Sequence, residues 1–141
     1  MSDASYLLVR AGGRLVGLPL AQVVEVLDPG TAYPVPSLEP SVRGVTRVRD
    51  RILPLVHLGA LLDGARCPRV RGETAVVAEL GGRQVCLEVD AAEEVAREPG
   101  LPVPPGTTLP FAAGVARHAE GLVLLLDLTA LAARLTEADT A

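Results

Sequence analysis

The chain carries one ordered pattern of residues twice, and any fold it adopts must accommodate two similar halves. Gly12-Gly13-Arg14-Leu15-Val16-Gly17-Leu18-Pro19-Leu20, followed by Glu25-Val26, matches Gly81-Gly82-Arg83-Gln84-Val85-Cys86-Leu87-Glu88-Val89, followed by Glu94-Val95, at an offset of 69. Pro34-Val35-Pro36 returns as Pro102-Val103-Pro104 at an offset of 68. Gly44, Val45, Arg47, Leu53, Leu55, Leu58, Ala60 and Leu61 return as Gly114, Val115, Arg117, Val123, Leu125, Leu128, Ala130 and Leu131 at an offset of 70. Order is preserved throughout, which chance matches between short apolar runs do not produce, so the chain reads as an internal duplication.

Each half begins with a Gly-Gly turn leading into a strand, Arg14 to Leu18 and Arg83 to Val89. Val85, Leu87 and Val89 alternate with Gln84 and Glu88, as in a strand buried on one face. Tyr6–Val9, Arg51–Val56, Glu73–Leu80, Phe111–Arg117 and Leu122–Leu126 are further short apolar runs bounded by Gly, Pro or charge. Many short strands at close spacing predict small barrels, which remove the exposed edges that invite aggregation. The division expected is a single domain, 1–141, with lobe 1 over about 12–65, lobe 2 over about 72–127 and a linker at Asp63 to Gly72.

Helix is the minority element. Asp127 is a candidate N-cap for a C-terminal helix over about 128–137, where Leu128, Leu131, Ala132 and Leu135 form one apolar stripe. Leu20, Val23, Val24 and Leu27 fit a helical spacing and a strand equally well. Gly64 ends any helical turn carried by Leu58, Leu61 and Leu62. Pro99 to Pro110 holds five prolines and two glycines and predicts an extended surface connection.

Composition removes several function classes. All thirteen basic residues are Arg, the net charge is −4, and aromatics are 2% of the chain (Tyr6, Tyr33, Phe111), so neither a positive field nor stacking platforms for nucleic acid are present. No window approaches the roughly 18 consecutive apolar residues of a membrane span, so no direct membrane insertion is expected. Cys67 and Cys86 stand apart from other Cys or His at ligand spacing, which predicts free thiols, no metal and no cofactor.

The central run Gly44-Val45-Thr46-Arg47-Val48-Arg49-Asp50-Arg51-Ile52-Leu53-Pro54-Leu55-Val56-His57-Leu58 resembles the signature of the CheW family of chemotaxis coupling proteins, roughly Gly-Val-x-x-Leu-Arg-Gly, a β run through Pro, then Asp-Leu. Leu18-Pro19-Leu20 with Val23-x-Glu25-Val26, Val89-Asp90, Gly114-Val115 and Leu125-x-Asp127-Leu128 extend the resemblance over about residues 6–135. It implies a mainly β fold of two SH3-like five-stranded β-barrel lobes, with short helices and a C-terminal helix. It further implies a noncatalytic cytoplasmic adaptor, recruited to receptor arrays at the inner membrane, that couples chemoreceptor cytoplasmic tips to the regulatory domain of a CheA-type histidine kinase. The family's receptor-contacting Arg falls on Arg49. Asp50 stands where the motif has Gly, and His57 where it commonly has Asp. Loss of that Gly removes the residue that most easily takes a left-handed conformation, and adds a carboxylate able to occupy the Arg49 guanidinium. A CheW-like scaffold of a non-chemotaxis pathway, with altered receptor binding, is the neighbouring reading.

The candidate protein-binding residues are Val45, Arg47, Arg49, Asp50 and Arg51. Alternation of the three Arg predicts one row on a single strand face, suited to carboxylates on a partner; the plainer alternative is a solvated face. Glu93, Glu94 and Glu98 form an acidic patch with the same two readings. Cys86, His57, Asp90 and Asp127 compose on paper a Cys-dependent enzyme, but Cys86 lies in mid-strand, where nothing activates a thiol. His57 and Asp127 occupy equivalent places before Leu-x-Ala-Leu, which predicts a repeated structural task such as capping a helix.

Overall fold

The computed structural model describes residues 5–97, 100–103, 105–106 and 111–140, with side chains as far as Leu135. Glu98 of the acidic patch, Pro99, Pro104 and Pro110 of the proline-rich connection, and the side chain of Glu137 lie outside the described residues.

The strands are β1 (Tyr6–Ala11), β2 (Arg14–Pro19), β3 (Val23–Leu27), β4 (Ala32–Tyr33), β5 (Val42–Val48), β6 (Arg51–His57), β7 (Thr74–Leu80), β8 (Arg83–Val89), β9 (Ala91–Ala96), β10 (Ala112–His118) and β11 (Gly121–Leu126). The helices are α1 (Leu58–Asp63) and α2 (Leu128–Thr140). The segment left open between helix and strand resolves into a 3₁₀ turn, Leu20–Gln22, followed by β3. Both Gly-Gly pairs are two-residue hairpin turns with both glycines at positive φ, 61° and 81° for Gly12-Gly13 and 55° and 87° for Gly81-Gly82. This geometry matches the twist of the flanking strands and costs other residues dearly.

The strands form two sheets, one ordered β10-β11-β2-β1-β9 and the other β3-β7-β8-β6-β5-β4. The first takes β1–β2 from the first half of the chain and β9, β10 and β11 from the second; the second takes β7–β8 from the second half and β3 to β6 from the first. The sheets therefore do not follow the sequential division at 12–65 and 72–127: each half lends its opening hairpin to the other half's sheet. The two sheets correspond strand for strand under the duplication, and the Leu101–Val115 bridge repeats the Tyr33–Val45 pairing of β4 with β5. Five strands in one sheet and five plus the two-residue β4 in the other are compatible with the expected pair of small barrels.

The exchange follows from side-chain alternation. On β7, Val76, Ala78 and Leu80 face a central core, while Ala75 and Val77 face a smaller cluster with Val48, Leu53, Leu55 and Cys86. On β1, Leu7, Val9 and Ala11 enter the same central core, while Leu8 joins Ala116, Val123 and Leu125. The two lent hairpins are thus largely buried on both faces and must be covered twice, once by their host sheet and once by each other. Each fully buried Leu or Val side chain contributes about 1.5–3 kcal/mol of transfer free energy. Leu128 and Leu131 of α2 and Leu58 and Leu61 of α1 close the central core.

Candidate functional site

The β5–β6 hairpin carries all five candidate binding residues. Arg49 and Asp50 form its two-residue turn, so the predicted row of three Arg does not exist on one strand. Arg47 lies opposite Ile52, and Arg51 lies opposite Val48. Directly opposed residues share a face and neighbours alternate, so Arg47 and Arg51 belong to opposite faces. The missed signal was the turn itself, since Arg-Asp lacks the Gly or Asn that usually announces one.

Arg49, not Asp50, takes the left-handed conformation, at φ 58°. Asp50 standing in for the motif's Gly therefore costs this backbone little, while Arg49 bears the strain. The carboxylate that occupies the Arg49 guanidinium is also not Asp50. It is Glu25 on β3, which accepts from Nε at 3.2 Å and from an Nη at 2.9 Å. The hydrogen bond from Arg49 holds the Glu25 carboxyl below its usual range. The Arg47 Nε donates to the Arg49 carbonyl at 3.1 Å and braces the turn.

Beside this hairpin lies an open groove of about 590 Å³. Its floor is Val42, Val45 and Pro54, and the opposite bank is Glu79 with Gly82 to Val85. Its free walls are Val35-Pro36-Ser37 and the α2 residues Ala132 and Leu135. Val45 and Arg51 of the candidate set line it; Arg47, Arg49 and Asp50 do not. The groove exists because β6 and β8, which run parallel, pair only from Leu55–Cys86 onward. Ahead of that point Pro54 brings no N–H to the junction and the strands splay.

A second groove of about 320 Å³ occupies the equivalent junction of β11 with β2, lined by Arg10, Gly13 to Val16, Glu120 and Leu122 to Leu124. Here pairing begins one step earlier, at Leu124–Val16, and Leu124 replaces Pro54. Arg10 lies between Glu93, at 3.0 Å, and Glu120, at 3.0 Å. The hydrogen bonds it donates to Glu120 and then to Glu93 hold its guanidinium firmly in the charged form. Glu94 pairs with His118 Nε2 at 3.0 Å. The acidic patch expected at Glu93 and Glu94 is therefore engaged by the chain's own Arg10 and His118.

His57 and Asp127 share the predicted task. His57 Nδ1 accepts from the Ala60 N–H at 3.0 Å, and Asp127 Oδ1 accepts from Thr129 at 2.9 Å and Ala130 at 3.3 Å. Asp90 instead accepts from the Gly13 N–H at 3.0 Å. Cys86 is fully buried, and burial pushes its thiol up to about 11, with a further push from Glu25. Neither Cys86 nor His57 lines either groove. The groups of the paper triad are thus separately employed, and its thiol is held in the unreactive form.

Two buried carboxylates escaped the sequence reading. Glu88 is 2% exposed and forms a two-pronged pair with Arg43, at 2.7 and 3.0 Å, while also accepting from the Gly72 N–H at 2.7 Å. The bond that Arg43 donates to Glu88 raises the Arg43 pKa against its partial burial. Arg43 also donates to the carbonyls of Pro68 and Val70, so this pair fastens the linker between halves to the second sheet. Glu39, also 2% exposed, meets Arg134 of α2 at 3.1 Å.

The model of the CheW-like domain matches residues 5–136 of this chain. The chain belongs to the CheW-like domain family. Among solved structures it is similar to the scaffolding protein TtCheW from Thermoanaerobacter tengcongensis, with 22% sequence identity, 89% of each chain covered and a TM-score of 0.76. That likeness shows the CheW fold. No curated protein matches the chain. Among the described residues no helix is long and apolar enough to cross a membrane.

Proposed function

We propose that this protein is a noncatalytic adaptor that couples chemoreceptors to a CheA-type histidine kinase in chemotaxis-like signalling. The observation that carries the reading is the match of the CheW-like domain model across residues 5–136, nearly the whole chain. The kinase regulatory domain would dock on one sheet, and the helical tip of a receptor would lie in the open groove beside the β5–β6 hairpin. The apolar lining of Val42, Val45 and Pro54 suits a helix face, with Arg51, Arg83 and Glu79 beside it to set its register. An interface of this kind buries on the order of 800 Å² on each partner, with its energy concentrated in a few anchors.

Arg49 acts in this reading together with Glu25. With its guanidinium already held by Glu25, it presents a carboxylate–guanidinium unit rather than a bare cation. Arg49→Ala frees Glu25 and relaxes the turn beside the groove. The expected outcome in a pull-down is weaker retention of the receptor tip, retention of the kinase regulatory domain, and an unchanged circular dichroism spectrum. Undiminished receptor retention by the folded variant removes the hairpin from the interface.

A second reading, a CheW-like scaffold outside chemotaxis, is favoured by Asp50 and His57, which depart from the family motif. It predicts that the wild-type protein retains the kinase domain but no chemoreceptor tip. A Cys-dependent enzyme predicts that Cys86→Ala abolishes function, whereas an adaptor tolerates that change.

A further inference from the structure

The open groove has a rigid floor made of sheet and two walls that belong to no sheet: the irregular segment Val35–Ser37 and the α2 residues Ala132 and Leu135. Among the described residues one ion pair joins the walls. Arg134, between the two α2 wall residues, donates from Nε to Glu39 Oε1 at 3.1 Å, and Glu39 lies two residues beyond Ser37.

The surroundings of Glu39 make this pair more than a surface contact. Its carboxylate is almost fully buried, and Oε2 accepts from both the N–H and the hydroxyl of Ser41, at 3.2 and 2.7 Å. Its own N–H donates to Ser37 Oγ at 3.2 Å, inside the groove wall. Ser41 in turn accepts from the His57 N–H at 2.9 Å, at the end of β6. A buried carboxylate in such a web has a fixed position, so the helix that reaches it by one guanidinium is fixed as well. The first turn of α2 has other anchors, Leu128 and Leu131 in the central core, whereas the stretch facing the groove relies on partly buried side chains and on Arg134.

We infer that Glu39 and Arg134 are positioning residues whose ion pair latches α2 to the Val35–Ser37 segment and so fixes the width of the groove. This inference rests on the reading that a partner helix docks there. A preformed groove spares the partner the ordering cost of two walls, and that saving should appear as affinity.

The experiment uses the full chain with Arg134→Ala and Arg134→Lys, the latter restoring the charge. Native-state hydrogen exchange is read in residues 34–42 and 128–135. Affinity is measured for a soluble helical-hairpin fragment of a chemoreceptor tip from the same genome. Arg134→Ala is expected to speed exchange in both walls while the sheets keep their protection, and to weaken fragment binding about five- to tenfold. Arg134→Lys is expected to recover most of both. Unchanged exchange in the walls overturns the latch, and so does faster exchange with undiminished affinity. Failure of the wild-type protein to bind the fragment sinks the docking reading instead, and the exchange measurement then judges the latch alone.

Discussion

The two grooves arise at equivalent junctions of a duplicated frame, yet one is about 590 Å³ and the other about 320 Å³. At the first, Pro54 delays the β6–β8 pairing, and the residue equivalent to Arg10 is Glu79, whose backbone carbonyl receives Gln22. At the second, Leu124 continues the pairing, and Arg10, paired with Glu93 and Glu120, lines the groove. The frame recurs in both halves; single substitutions at corresponding positions separate the larger groove from the smaller. The same contrast recurs in the fastening of the halves, since the second sheet is tied by the buried Arg43–Glu88 pair and the first by the exposed ion pairs of Arg10.

The largest test of this contrast is removal of one carboxylate from each fastening. Glu88→Ala leaves Arg43 desolvated without its partner, and releases the Gly72 N–H as well. Urea unfolding should show a loss of about 3–5 kcal/mol. Glu120→Ala, at an exposed pair, should change the midpoint far less. Equal losses would end the distinction between a buried and a surface fastening.

Next come the paired glycines. A Cβ on Gly44 would stand 2.2 Å from the Tyr33 carbonyl oxygen, at a φ of 150°, and a Cβ on Gly114 would stand 2.6 Å from the Leu101 carbonyl oxygen. Both mark the bulge where an irregular segment crosses the hairpin. Gly44→Ala combines backbone strain with collision and should cost about 2–3 kcal/mol, and Gly114→Ala less, since the collision is milder there. The reverse order in thermal unfolding would show that the two crossings are not equivalent.

The smallest effect is expected at the helix starts. His57→Asp places at α1 the residue that already caps α2, and should raise stability by about 0.5 kcal/mol through a better N-cap. A loss would mean that the imidazole has a further role in the first half.

Much of this was legible in the sequence. The duplication, the Gly-Gly hairpins, the stop at Gly64 and the shared capping place of His57 and Asp127 all rest on local chemistry. The C-terminal helix was legible from its apolar stripe. What escaped depended on partners distant in the chain. β9, with Glu93 and Glu94 at its centre, lacks the composition of a strand and is one because β1 pairs with it. Which sheet each opening hairpin enters was not legible, because a duplication does not say which copy a hairpin joins. In the candidate site, Val45 and Arg51 reach the groove. Arg49 finds Glu25 across 24 positions, an encounter that no spacing rule announces.

The exchanged hairpins also set the order in which the molecule can be completed during synthesis. The β1–β2 hairpin is made first, yet β11, against which β2 must lie, ends at Leu126. At typical elongation rates of about 5–20 residues per second, roughly 5–20 s pass before that strand exists. Through that interval a ribbon destined for burial on both faces waits with open edges, and a newborn chain is most exposed there to misassociation or to capture by a chaperone.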